Sequence, residues 1–296
     1  MVRRALIAVA VLLVGALAYA GVQYYRFVRT ETVRIDDRLH LILGGGGNTA
    51  VLVGDDGVLV VDTKFMRPAR YLAEKIRRLT DKPVRAVVNT HYHWDHTRGN
   101  PHYPEEAQVI AQRRTREHMI RLDRRFWEVE PNWNHLPGAL LDEERVLEFG
   151  GETVRILHPG RGHTDGDVVV QFVGRRLVHM GDLFVQALYP FIDRPGGGSA
   201  REWVATLDRV LAIPDVDQYV PGHGPVGTRA DVERFQRYLR ELVSQVESQV
   251  AAGRSLAQAQ ASVRLAGFDD FRGVPFLTSR RQNVRWVYEE VTAGER

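Results

Sequence analysis

The chain contains no cysteine among its 296 residues. It therefore cannot form a disulfide, offer a thiolate nucleophile, carry a lipid on cysteine or build a Cys-rich structural zinc site. Internal repeats and low-complexity segments are missing as well, which argues against a repeat architecture. The fold must depend on its hydrophobic core and on any metal ions that the remaining residues bind.

A strong charge of one sign is also lacking, because 40 Lys and Arg residues face 37 Asp and Glu residues, for a net charge of +3. The densest basic region, residues 113–128, interleaves arginines with acidic residues. Its apolar residues, among them Met119 and Trp127, share one side at helical spacing. We interpret this region as one solvated amphipathic helix and expect no nucleic-acid binding.

One long apolar run is present, at residues 5–22, directly after two arginines at positions 3 and 4. This pattern is typical of export, either by a signal peptide cleaved near residue 20 or by a transmembrane anchor helix, and the length of the run favours the anchor. The arginines should stay cytoplasmic. We therefore expect residues 1–29 to be the signal or anchor. Residues 30–296 would form one extracytoplasmic catalytic domain, in the periplasm or outside the cell, attached to the membrane or secreted.

The most informative motif is Asn-Thr-His-Tyr-His-Trp-Asp-His at residues 89–96, which places three histidines and an aspartate within six positions. It follows a short β-branched run, so the histidines begin where a strand ends. His91 and His93 are two residues apart on an extended segment and can face one cation together. Asp95 and His96 follow where the chain turns and can approach from another side. The motif predicts a metal site and suits two adjacent metals.

Three later residues are further candidate ligands at the ends of predicted strands. His163 lies in a Gly-rich turn ahead of a predicted strand at residues 168–173, Asp182 follows a strand and a glycine, and His223 lies between two glycines. Neutral imidazole and carboxylate together suit zinc, iron or manganese.

In this order and approximate spacing, the seven residues resemble the motifs of the metallo-β-lactamase-fold hydrolase superfamily over residues 33–226. The resemblance implies a four-layer αββα sandwich of two mixed sheets covered by helices, with a metal site at one edge. It also implies two zinc ions per chain, with one ion on His91, His93 and His163, the other on Asp95, His96 and His223, and Asp182 bridging them.

The chemistry expected of such a site is hydrolysis of a small molecule. Two close divalent cations lower the pKa of a shared water, which becomes a metal-bridging hydroxide, and they polarise the bond under attack. Asp95 is the predicted catalytic residue, because a carboxylate bound through one oxygen can orient the hydroxide and pass a proton to the leaving group. The bond could belong to an ester, lactone, thioester, amide, β-lactam or phosphoester. The lack of cysteine excludes the lactamase subclass with a Cys ligand, and a bridging Asp182 favours glyoxalase, lactonase or phosphodiesterase types.

Two other functions fit the same residues. A mononuclear iron enzyme resembling persulfide dioxygenases would use His91, His163 and Asp182, although the complete second ligand set argues against it. The second of these functions is that of a non-catalytic metal-binding protein at the membrane.

The positions of other residues in the sequence predict two further roles, support of the ligands and lining of a substrate pocket. Some lie close to the ligands and could support them: Asp62, His158 and His179. Others lie in the Gly-rich segment of residues 186–198 and could line a substrate pocket: Tyr189, Phe191 and Asp193.

Overall fold

The computed structural model describes residues 14–15, 21–22, 24 and 28–294. The predicted anchor or signal at residues 5–22 lies almost entirely outside this part of the chain. Among the described residues, none of the helices combines the length and apolar character needed to cross a membrane.

The first of two sheets has seven strands in chain order, β1 to β7. Neighbours from β1 to β4 are antiparallel, and those from β4 to β7 are parallel. The parallel pairs require crossover connections, which helices and long loops provide. The strands are β1 Thr30–Arg34, β2 Leu39–Gly44, β3 Thr49–Val53, β4 Val58–Val61, β5 Val84–Val88, β6 Gln108–Gln112 and β7 Ala139–Leu141.

The second sheet has five strands in the order β12, β11, β10, β9, β8. Its pairs are antiparallel except for the parallel pair of β11 and β12, which needs a helical crossover. The strands are β8 Glu144–Phe149, β9 Glu152–Leu157, β10 Val169–Phe172, β11 Leu177–His179 and β12 Gln218–Val220.

Helices connect and cover the sheets. The α-helices are α1 Met66–Leu79, α2 Trp94–Thr97, α3 Arg113–Leu122, α4 Arg124–Trp127, α5 Ala200–Leu211, α6 Arg229–Ala251, α7 Leu256–Ser262 and α8 Arg280–Gly294. Short 3-10 turns occupy Asn100–His102, Asn132–His135, Val173–Arg175 and Gly181–Leu183.

The prediction of a single helix at residues 113–128 is wrong in one respect, because the structure has two helices there, α3 and α4, which meet at Asp123. The carboxylate of Asp123 accepts a hydrogen bond of 2.9 Å from Nε of Arg98. The backbone of Asp123, with φ −115° and ψ 31°, is not helical, and its side chain is bound in this long-range ion pair. Met119 and Trp127 are nevertheless buried on one side, as the apolar pattern predicted.

Three buried apolar clusters define four layers. In the first, α1 packs Leu72 and Ile76 on the outer face of the seven-stranded sheet. In the second, the inner faces of the two sheets pack against each other. In the third, α5, α6 and α8 cover the five-stranded sheet with Trp203, Leu239 and Val287. The mixed α/β fold with two sheets and covering helices is therefore confirmed.

The topology brings several chain segments to one edge of the sandwich. The parallel strands β4 and β5 end side by side, as do the parallel strands β11 and β12. Residues that follow these strands are Asp62, the segment 89–96, Asp182 and His223. Parallel strands thus explain why residues far apart in sequence meet at one site.

Candidate metal centre

The seven predicted ligands converge into two adjacent groups. In each group the potential ligand atoms lie within 4.8 Å of one another. The groups are His91, His93, His163 and Asp182, and Asp95, His96 and His223. We call the position formed by the first three histidines the three-histidine position, and the position formed by Asp95, His96 and His223 the aspartate position.

Asp182 lies between the two positions. Its Oδ1 is 3.3 Å from Nε2 of His96 and 3.4 Å from Nε2 of His223. Its Oδ2 is 3.7 Å from Nε2 of His163. Each carboxylate oxygen therefore faces a different position, which is the arrangement that a bridging ligand requires.

Hydrogen bonds fix the protons of His93 and His163 on the sides that face away from the centre. Nδ1 of His163 donates to the carbonyl oxygen of Phe191 at 2.7 Å, and Nε2 of His93 donates to Oδ2 of Asp193 at 3.0 Å. The inward atoms, Nδ1 of His93 and Nε2 of His163, are then both lone-pair acceptors only 2.9 Å apart. A cation bound by both nitrogens would relieve the repulsion between these two facing acceptors.

His91 and His96 are oriented in the same way. Nδ1 of His96 donates to Oδ2 of Asp62 at 2.6 Å. Nδ1 of His91 donates to Oγ1 of Thr90 at 3.0 Å, since that hydroxyl already donates its own proton to Asp62 at 2.7 Å. The inward Nε2 atoms of His91 and His96 are buried without a hydrogen-bond partner, as is Oδ1 of Asp182. Buried polar atoms without partners are costly, and metal ligation, with loss of any proton on His96 Nε2, would satisfy all three.

The electrostatics of the two positions differ. Burial and neighbouring imidazoles hold the pKa of His91 well below its ordinary value, and burial and His93 lower the pKa of His163 to about 4. These two imidazoles are therefore neutral and can bind a cation. Although burial lowers it, the charges of Asp62 and Asp182 hold the pKa of His96 well above its ordinary value. The aspartate position thus attracts positive charge, which a metal ion supplies.

Two glycines allow the backbone to approach the ligands. A Cβ on Gly47 would lie 2.3 Å from Cε1 of His96, and a Cβ on Gly222 would lie 1.9 Å from Oδ1 of Asp182. Both distances are far below van der Waals contact. The Gly-rich loop between β2 and β3 is therefore part of the site's wall, and it is held by a residue that sequence analysis did not identify.

That residue is Lys64, which is fully buried. Its Nζ donates to the carbonyl oxygens of Ile42 at 3.0 Å, Gly44 at 2.5 Å and Gly47 at 2.6 Å. Burial lowers its pKa to about 7. Nothing in the sequence distinguishes Lys64 from an exposed lysine after a strand, because its acceptors come from an earlier hairpin.

The predicted supporting residues occupy different places. Asp62 contacts His96 directly, as described above. Nδ1 of His158 instead bonds the carbonyl oxygen of Asp167 at 2.7 Å and not a ligand imidazole. Nε2 of His179 donates to the carbonyl oxygen of Asn48 at 3.2 Å, and the amide of Asn48 donates to carbonyl oxygens on both sides of His223. His179 is therefore one step removed from a ligand.

The three predicted pocket residues also differ from one another. The ring of Phe191 lies 5.6 Å from that of His93 and 5.9 Å from that of His163. Tyr189 packs against the rings of Tyr238 and Phe271 in the helical layer. Asp193 corrects the prediction, because it is only 3% exposed and its carboxylate is bonded to Tyr92 and His93. It lies behind a ligand and does not form an open pocket wall.

Comparison with known proteins agrees with this geometry. Residues 42–223 match the profile of the metallo-beta-lactamase superfamily, and the chain belongs to this superfamily, as the sequence motifs predicted. It is 29% identical to the alpha subunit of a 2,4-dinitroanisole O-demethylase from Nocardioides sp. (strain JS1661), over 69% of this chain and 60% of the relative. It is 26% identical to a metallo-beta-lactamase type 2 from Bacillus cereus, over 62% of this chain and 68% of the relative.

Solved structures show the same fold. A metallo-beta-lactamase from Pontibacter korlensis aligns with a TM-score of 0.60 at 19% identity, over 72% of this chain and 99% of that chain. A sec-alkylsulfatase from Pseudomonas sp. aligns with a TM-score of 0.72 at 18% identity, over 88% of this chain and 50% of that chain. The chain therefore spans about half of the sulfatase and 60% of the demethylase subunit.

Proposed function

We propose that this protein is a dinuclear zinc hydrolase. The observation that carries the proposal is the convergence of seven candidate ligand side chains, three of which bury an inward atom without a hydrogen-bond partner. His91, His93 and His163 would hold one ion, and Asp95, His96 and His223 the other, with Asp182 between them. Nitrogen and carboxylate ligands without thiolate suit zinc, with iron and manganese as alternatives.

The residues around the ions divide the chemical work. When bound, two such ions supply a water of lowered pKa and polarise the bond under attack. Asp95 is the proposed catalytic residue. Its Oδ2 lies 3.4 Å from Nε2 of His223, and the side chain is 16% exposed, so it borders both the metal centre and the solvent. From this place its carboxylate can accept the proton of the attacking water and deliver it to the leaving group.

The substrate class is proposed more broadly. The named relatives include a hydroxyacylglutathione hydrolase from Gloeobacter violaceus and a linear primary-alkylsulfatase from Pseudomonas sp. (strain ATCC 19151), besides the β-lactamases. We therefore propose a small molecule with an ester, lactone, thioester, β-lactam, phosphoester or sulfate ester bond. The ring of Phe191 beside His93 and His163 favours a substrate with an apolar group near the reacting bond.

Elemental analysis and one variant test the proposal. Protein purified without added metal should contain close to two zinc ions per chain and hydrolyse at least one member of a panel of these substrates. Asp95→Asn should lose most of the turnover while the three-histidine position retains its ion. A single iron per chain, with oxygen consumption in place of hydrolysis, would instead support the dioxygenase alternative and refute the hydrolase.

We also propose an extracytoplasmic location, supported by the two arginines and the apolar run at residues 5–22. Cell fractionation of the full chain and of a variant starting at residue 30 tests this proposal. The full chain should be found with membranes or outside the cytoplasm, and the shortened chain in the cytoplasm. Equal distribution of both would contradict an export role for residues 1–29.

A further inference from the structure

The three-histidine position depends on a segment that comes from the middle of the chain. We call residues 186–198 the wall segment. The carbonyl oxygen of Phe191 accepts the outward proton of His163, and the carboxylate of Asp193 accepts that of His93. The backbone N–H of Asp193 also donates to the carbonyl oxygen of His163 at 3.1 Å. Two of the three histidines at this position are therefore oriented by the wall segment.

The wall segment has little regular structure of its own. It contains no helix or strand among its described residues, and it ends in three consecutive glycines, residues 196–198. Such a segment can keep two imidazoles in place only if something else holds it.

The C-terminal helix α8 is one of the elements that hold it, through side chains on one helical face, and Arg121 and Arg161 also bond its backbone near the glycines. The Asn283 Nδ2 donates to the carbonyl oxygen of Pro190 at 2.7 Å, and Asn283 is completely buried. One turn further, the ring of Trp286 meets that of Phe191 edge to face at 5.1 Å. One more turn along, Glu290 accepts a hydrogen bond of 3.0 Å from the N–H of Ala200, just after the wall segment. The positions 283, 286 and 290 share a face because their spacing follows the helical period.

The aspartate position is supported from elsewhere. His96 is oriented by Asp62, which follows strand β4 of the first sheet. The supports of the two positions meet at two places in the described contacts. The N–H of Gln186 in the wall segment donates to the carbonyl oxygen of His223 at 3.0 Å, and Asp62 reaches His91 through Thr90. The bonds from helix α8 and from Asp62 to the ligands' direct partners are otherwise distinct. Helix α8 lies beyond residues 42–223, which match the superfamily profile.

We infer that helix α8 positions the three-histidine half of the metal centre selectively, with Asn283 as the main positioning residue. The inference rests on the proposed metal centre. Loss of the Asn283 donor frees the carbonyl of Pro190 and loosens the acceptors at Phe191 and Asp193, so His93 and His163 lose their fixed orientation. A metal ligand whose hydrogen-bonding partner is lost typically binds its ion about 10- to 100-fold more weakly.

Zinc titration of the full-length protein, freed of metal and in competition with a chromophoric chelator, tests the inference. His163→Ala and His223→Ala identify which of the two dissociation constants belongs to which position. Asn283→Asp keeps the shape and the acceptor for Tyr238 but removes the donor to Pro190. It should weaken the three-histidine position about 10-fold or more and leave the aspartate position within about two-fold. Trp286→Ala, at a half-buried site, should act in the same direction and decides the question if Asn283→Asp does not fold.

Tyr238→Phe is the matched control, because it removes the other hydrogen bond of the Asn283 side chain but keeps the ring that packs against Tyr189 of the wall segment. It should lower the melting temperature and leave both zinc constants unchanged. Unchanged constants in Asn283→Asp and Trp286→Ala would overturn the inference, as would equal weakening of both positions or the same selective effect in Tyr238→Phe. A wild-type protein that binds no zinc would instead refute the proposed function, and the inference with it.

Discussion

Asp62→Asn should weaken the aspartate position more than the three-histidine position, because Asp62 contacts His96 directly and His91 only through Thr90. Asp62 is fully buried and accepts three hydrogen bonds, from the N–H of Thr90 at 2.8 Å, from its hydroxyl at 2.7 Å and from Nδ1 of His96 at 2.6 Å. An asparagine oxygen can keep the bond from the backbone, but its NH₂ group then faces His96. To accept that proton, the imidazole must carry its own proton on Nε2, the atom that faces Asp182.

The size of the effect follows from this change of tautomer. The loss of a partner behind a metal ligand usually weakens binding about 10- to 100-fold, which is about 1.4–2.8 kcal/mol. Because the variant also blocks the inward lone pair of His96, we expect the upper end of this range at the aspartate position. The metal-free protein should lose about 1.5–3 kcal/mol of folding stability, the contribution of one charged hydrogen bond.

The assay is the competitive zinc titration, combined with thermal unfolding of the metal-free protein. Asp55→Asn is a suitable control, because Asp55 is an exposed aspartate that pairs only with the exposed Arg38 in the described contacts. It should change neither zinc constant. Equal weakening of both positions by Asp62→Asn, or full zinc affinity at the aspartate position, would refute the assignment of Asp62 to His96.

Two further predictions concern Gly222, which packs against Asp182, and Lys64, which holds the loop between β2 and β3. Gly222→Ala should abolish zinc binding at both positions, since the new Cβ would lie 1.9 Å from Oδ1 of Asp182. Two zinc ions in this variant would contradict the bridging role of Asp182. Gly138→Ala is the control, because a Cβ there would meet no atom within 4 Å. The second prediction concerns pH. The folded-state pKa of Lys64 is about 7, below the unfolded value of about 10.4, so the unfolded chain binds one proton more between these values. The stability of the wild type relative to Lys64→Met should therefore rise with pH in this window, by up to about 1.4 kcal/mol per unit, as followed by urea unfolding. Parallel pH profiles would show that Lys64 keeps its charge throughout.

The candidate ligands could be found from the sequence because their signals are local. Four of them lie within residues 91–96, and each remaining one sits beside a glycine, His163 ahead of a predicted strand and Asp182 and His223 after one. Strand ends and tight turns are encoded by neighbouring residues, so the edge of the sandwich could be located without coordinates.

The supports of the ligands could not be predicted in the same way. Asp193 was assigned to a substrate pocket because its loop lies between two ligands in sequence, but its carboxylate turns inward to His93, 100 residues earlier. The partner of His163 is a backbone carbonyl, for which no residue type is diagnostic. Lys64 likewise depends on where an earlier hairpin passes. Such contacts are set by the path of the chain in three dimensions, which local sequence does not specify.

The distribution of ligands over the fold also links metal binding to the packing of the two sheets. Residues 91–96 follow the first sheet, whereas Asp182 and His223 follow strands of the second sheet. An ion shared between these groups would bind only when the sheets are packed, so it would stabilise the folded state over the unfolded one. With free metal at about 1,000 times the dissociation constant, this linkage contributes about 4 kcal/mol. The chain has no disulfides, so the packing of the two sheets would be stabilised by the apolar interface between them and by the metal centre at its edge.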